Sequence, residues 1–150
     1  MPGTSASHII FFIAAVIVAS SVASIFATTA IRMSGDIKEQ TDVRVNELNT
    51  RVVIINDPAA MPYNSSTGTL VLYVKNVGKT VLAENSTKVF IDGNYTRSEN
   101  LTFSLLDGAA SWSRETVLEI VIHNITLSPG DHRAKVVVSY GKSATLQFRI

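Results

Sequence analysis

The stretch IIFFIAAVIVASSVASIFATTAI, residues 9–31, carries no charged side chain, and nothing else in the sequence narrows the fold so far. As a helix rising about 1.5 Å per residue it would extend roughly 34 Å, enough to cross a hydrocarbon core of about 30 Å. Twelve of its residues are Ile, Phe or Val. Together they favour insertion by on the order of 4 to 7 kcal/mol. Six Ala and five Ser or Thr erode that only in part. A secretory signal would need a basic start and an apolar segment of about 7–15 residues. The tail MPGTSASH has neither Lys nor Arg and the run is longer, so the expectation is an anchor that stays attached.

Within the run, Ala15, Ala19, Ala23 and Ala27 recur every four residues, with Ser20, Ser24 and Thr28 one position on. That spacing stacks small side chains along one helix face, where backbones can approach closely in lipid. Residues 32–50, RMSGDIKEQTDVRVNELNT, continue without Pro and read as a helical stalk. Their apolar positions Ile37, Val43, Val45 and Leu48 are too sparse for a strong coiled coil. The organisation expected is therefore a tail at 1–8, a transmembrane helix at 9–31, a stalk at 32–50 and a folded domain at 51–150.

From residue 51 the pattern changes to strands. RVVIIN (51–56), TLVLYVKN (69–76), KVFID (88–92), VLEIVIHN (117–124), AKVVVS (134–139) and ATLQFRI (144–150) alternate or run apolar, divided by the polar turns NVGK, DGN, LDGA, LSPGD and YGK. Six to eight short strands in about 100 residues with no helical period predict a mainly β, immunoglobulin-like antiparallel sandwich, with a small barrel as the alternative. Several strands are apolar on both faces, which marks them as central or as facing a partner. Val71, Tyr73, Val121 and Val137 are the expected outward set, and Trp112, in GAASWSRE, reads as a half-buried loop anchor, with contact to a partner as the alternative.

Charged residues are 17% of the chain and the net charge is +1, which gives no broad field for nucleic acid. Cysteine is absent, which excludes disulfides and thiolate chemistry. His8, His123 and His132 lack metal-ligand spacing, no nucleophile elbow occurs, and the glycines lie apart, so no catalytic residue, cofactor, metal or small-molecule substrate is expected. Five of nine asparagines head N-x-S/T triplets: Asn64, Asn85, Asn94, Asn100 and Asn124. Composition alone would give roughly two. The excess points to an exported, glycosylated domain. Arg32 and Lys38 on the far flank of the anchor favour the reverse topology slightly, and the triplets outweigh so small an imbalance.

Five segments occur in order across nearly the whole chain: SHIIFFIA, TRVVIINDP, TLVLYVKNVGKTVL, VFIDGNY and SPGDHRAKVVV. Together they resemble the FlaG family, accessory proteins of the archaeal motility filament, the archaellum. The resemblance implies an anchored β-sandwich outside the cytoplasmic membrane. It would brace a rotating filament as part of a stator with a FlaF-like partner, an S-layer or other envelope protein, and further copies of itself. Archaellins, the filament subunits, share the helix-plus-sandwich plan but carry a basic leader ending in Gly, which is missing before Ile9. Two alternatives stay open: a filament subunit packed through its N-terminal helix, and an envelope binding module for glycan or solute. The second would need a pocket where polar and aromatic groups converge.

Overall fold

The computed structural model describes residues 3–150, and Met1 and Pro2 of the expected tail lie outside the described residues. One helix, α1, runs Gly3–Asn49, so the rest of the tail is helical and the stalk continues the apolar run without a break. The chain divides into two compact units, one ending at Asp42 and one running Val43–Ile150. The second unit therefore takes in the last turns of α1.

Among the described residues nine strands follow. One antiparallel sheet holds β1 (Val52–Ile54), β2 (Tyr63–Asn64), β3 (Thr69–Asn76), β6 (Leu101–Leu105) and β7 (Val117–Ile122). Its order is β1-β3-β7-β6, and β2 also pairs with β3. The other antiparallel sheet holds β4 (Lys88–Ile91), β5 (Asn94–Thr96), β8 (Asp131–Val137) and β9 (Ser143–Arg149), in the order β5-β4-β8-β9. The two remain separate sheets, which makes the domain a sandwich and not a closed barrel.

Strict alternation drives the packing. In β3 and β7 every second residue is buried, so Leu70, Leu72 and Val74 meet Leu118, Ile120 and Ile122 on one inner face. Val89, Ile91, Ala134, Val136 and Phe148 supply the other. Full burial of each large aliphatic side chain stabilises the fold by about 1.5–3 kcal/mol. β7 lies between β3 and β6, so both its edges are paired, while Val117, Glu119 and Val121 stand half-exposed on the outer face. Strands β4 and β5 are joined by Asp92 and Gly93, both at positive φ (51° and 84°), a tight hairpin turn of the kind Asp-Gly favours.

Candidate functional site

The last helical turn enters the sandwich through a dense joint. Asn76, fully buried, donates from Nδ2 to the carbonyls of Thr80 (2.8 Å) and Trp112 (3.0 Å), and its Oδ1 accepts from the Gly78 amide (2.9 Å). This fixes residues 77–80 as a rigid loop. The loop then caps the helix: Lys79 N donates to Asn49 O (2.8 Å), and the amides of Val77 and Gly78 donate to Arg51 O (3.0 Å each). Carbonyls at a helix C-terminus have no intrahelical partner, so such bonds complete the helix end. A side chain at residue 78 has no room, since a Cβ there would lie 2.3 Å from Asn49 O and 2.6 Å from Arg51 N. Lys142 adds an ion pair to Glu47 (3.1 Å).

Similar knots lie just past β1 and between the turns DGN and LSPGD. Asn56, just past β1, donates to Val71 O (2.9 Å) and accepts from Tyr73 N (2.7 Å), so its amide continues the pairing with β3. His132 is hydrogen-bonded at both ring nitrogens, Nδ1 to Asp92 Oδ2 and Nε2 to Ser128 O, each 2.7 Å. The Arg133 amide donates to the other Asp92 oxygen (2.8 Å). The Ser128 carbonyl first and the Asp92 carboxylate second raise the His132 pKa above its ordinary value. Burial pushes Asp92 up, but the bonds from His132 and the Arg133 amide outweigh it and hold the carboxyl below its usual range. On the other sheet Lys75 pairs with Glu115 (2.6 Å) and lowers that carboxyl's pKa.

The expected site residues fall into different places. Ala15, Ala19, Ala23 and Ala27 are all exposed on α1. Beside them Ser20, Ser24 and Thr28 donate to the carbonyls four residues back, at 2.7–2.9 Å, so their hydroxyls are satisfied within the helix. Val71 and Val121 stand opposite each other on the outer face of the first sheet, with Tyr73 in the next row facing Glu119. Val53 and Ile55 extend this face at the β1 edge.

One member of the outward set, and Trp112 beside it, do not belong there. Val137 is in β8, on the outer side of the second sheet, so it cannot share a contact face with Val71, Tyr73 and Val121. Trp112 is 0% exposed. Its segment bridges to Leu82 and its Nε1 donates to Thr116 O (3.2 Å), which makes it core and closes it to any partner. Val53, inside the short first strand, and Ile55, just past it, are exposed apolar neighbours of this face that the sequence reading left out.

Of the triplet asparagines, Asn64, Asn85, Asn94 and Asn124 are exposed and Asn100 is half-buried. Asn124 donates from Nδ2 to Asn100 Oδ1 (3.3 Å). Asn85 differs again, because the hydroxyl of its triplet, Thr87 Oγ1, is shut inside without a hydrogen-bond partner. His123 Nε2 lies 3.1 Å from Thr102 Oγ1. Among the described residues no three His, Cys, Asp or Glu side chains converge as metal ligands.

The archaeal-type flagellin family matches residues 3–148. Flagella-related protein G of Methanocaldococcus jannaschii is 33% identical over 150 residues, covering 98% of this chain and 96% of that protein. Flagella-related protein G of Methanococcus voltae is 30% identical over 142 residues, covering 93% and 92%. The archaellum periplasmic stator protein FlaG from Sulfolobus acidocaldarius is similar over 66% of this chain and 99% of that one, at 20% identity and a TM-score of 0.49. With the family matched over almost all of its length and two relatives at 30% or more, this chain belongs to the archaeal-type flagellin family.

Proposed function

We propose that this chain is a membrane-anchored structural part of the archaellum, with its sandwich outside the cytoplasmic membrane, acting as a stator through protein contacts. The observation that carries this reading is the run 9–31, which is helical, uncharged and exposed throughout. Such a surface is stable in lipid or against other apolar helices, and the back-bonded hydroxyls lower the cost of placing Ser and Thr there. Relatives named as flagella-related proteins, and a family that points to a structural component and not an enzyme, support it. In this reading residues 9–31 form the anchor, 32–50 the stalk and 51–150 the exported module, glycosylated at exposed triplets. A FlaF-like protein meets the outer face around Val71, Tyr73 and Val121, and further copies or an envelope protein share the load.

The chain has no cysteine, so a Ser65→Cys substitution in the exposed turn after β2 adds a single thiol. A membrane-impermeant maleimide should label it on whole cells, and the protein should stay with membranes through alkaline extraction. Labelling only after lysis, or release into the soluble fraction, would end this reading.

A second reading has its own support: the matching family is the flagellin type, and the alanine ridge is free on α1. Packed through that ridge, the chain would be a filament subunit. N-terminal sequencing of the mature protein separates the two. A terminus adjoining residue 9 favours the subunit, and one at Met1 or Pro2 favours the anchored component.

A further inference from the structure

The two outer faces of the sandwich differ in charge. On the second sheet the exposed alternate positions of β4, β8 and β9 place Lys88, Arg133, Lys135 and Arg149 on one side, against a single acidic residue, Asp131. The whole chain is nearly balanced, with 13 basic and 12 acidic residues, so this is a local segregation. Among the described residues no ion pair engages Lys88, Arg133 or Lys135, while Arg149 lies 3.9 Å from Asp131. An aromatic pair is set among these cations. Phe90 faces Tyr95 across the β4–β5 hairpin with ring centroids 5.6 Å apart, and on its other side Phe90 stands opposite Lys135.

Two hollows meet the Arg133 side chain. One of about 220 Å3 is lined by Phe90, Gly93, Arg133 and Lys135, and a Cβ on Gly93 would meet nothing within 4 Å. The other, an open cleft of about 920 Å3, is lined by Arg133, Gln147 and Arg149 together with the carboxylates of Asp92 and Asp131, so the anion site proper is the smaller hollow. Arg133 borders both. Along β8, Arg133 and Lys135 are two residues apart, which spaces their stems by about 6.8 Å.

We propose that this face binds an anionic polysaccharide carrying uronic-acid carboxylates. The apolar side of a sugar ring packs on the Phe90–Tyr95 platform. Arg133 and Lys135 take the carboxylate, the arginine through paired N–H bonds, and Gln147 offers an amide to ring hydroxyls in the adjoining cleft. A run of sugars can reach from the Phe90 hollow across Arg133 to Gln147, which an isolated solute cannot. An acidic polypeptide would use the cations but has no need of the aromatic platform, and that difference decides the test. The proposal stands on this face alone and does not depend on the anchor.

Full-length protein in neutral detergent is titrated with polygalacturonate, with poly-glutamate and with uncharged dextran at about 0.15 M salt, where long-range attraction is screened. Polygalacturonate should bind, and the other two should bind at least roughly tenfold more weakly. Arg133→Ala and Lys135→Ala should each lower its affinity roughly tenfold. Tyr95→Ala, at a residue 49% exposed, should weaken polygalacturonate several-fold and leave poly-glutamate unchanged. Lys75→Ala, a charge-matched change on the opposite sheet, should have no effect. No binding of polygalacturonate, equal binding of poly-glutamate, or an equal loss in Lys75→Ala would overturn the proposal. Since whole-cell labelling and membrane extraction are separate measurements, failure here is distinguishable from failure of the anchored reading.

Discussion

A neutral imidazole has one donor and one acceptor nitrogen, yet both nitrogens of His132 face acceptors, Asp92 Oδ2 and Ser128 O. Only the protonated ring satisfies both. Its pKa is raised in the fold, so its stabilisation is complete below the ordinary value of 6.5 and is lost as pH rises through the folded value. Asp92 acts in the opposite direction: its pKa is lowered, so its share is present above 3.8 and fades as pH falls through the folded value. The knot is strongest between these limits. A His132→Gln variant should lose on the order of 1–2 kcal/mol, since charge-assisted bonds are worth more than neutral ones but Asp92 is partly in water. Denaturant unfolding at pH 5 and pH 9 checks it: the gap between wild type and variant should shrink at the higher pH. Gly78 makes a second residue-scale prediction. Gly78→Ala must push back the Asn49 carbonyl or break the cap, and should cost at least about 2 kcal/mol, read as a lower melting temperature.

Strands and faces raise a different question, which is what alternation can reveal. Thr69–Asn76 and Val117–Ile122 could be read directly, because every second residue is buried and all of these except Asn76 are apolar. Leu101–Leu105 carries the same alternation but is short and ends at a polar turn, and Asn94–Thr96 exists only because Asp92–Gly93 folds it back on β4. Alternation tells inside from outside. It cannot tell which strands share a sheet, because sheet membership depends on long-range pairing, and so alternation alone sets Val137 beside residues that lie in the opposite layer. Trp112 misled for a related reason. A loop rich in Ser, Gly and Ala reads as holding its Trp half-buried, and what buries it fully is the distant Asn76 amide and the bridge to Leu82. The first-sheet face gives the prediction at this scale. Val71→Glu with Val121→Lys places opposite charges directly across β3 and β7, so the pair should keep the melting temperature near wild type. Co-purification with a second anchored sandwich protein should nevertheless be lost. Val137→Lys, on the other layer, should leave it intact; loss there instead would move the contact to the second sheet.

At the scale of the whole molecule the question is how force on the sandwich would reach the helix. The joint is made by backbone bonds from residues 77–80 to Asn49 and Arg51, by the buried Asn76 amide behind them and by the Lys142–Glu47 pair. Its elements come from residues 46–51, 76–80 and 142, far apart in sequence, so the motif NVGK read as a turn while its role in capping the helix could not be read locally. Backbone bonds in a buried setting with no space at Gly78 resist bending far better than a chain of free torsions. An anchor that merely tethers its domain would work equally well through a flexible connection, whereas a brace would not. A Gly-Gly-Ser insertion between Asn49 and Thr50 separates the two cases. It leaves the apolar run and the strands untouched while breaking the register of the cap. The variant protein should fractionate with membranes and keep its partner, yet cells relying on it should swim poorly or not at all. Normal swimming with this insertion would mean that the joint carries no load and that the chain acts as a tether.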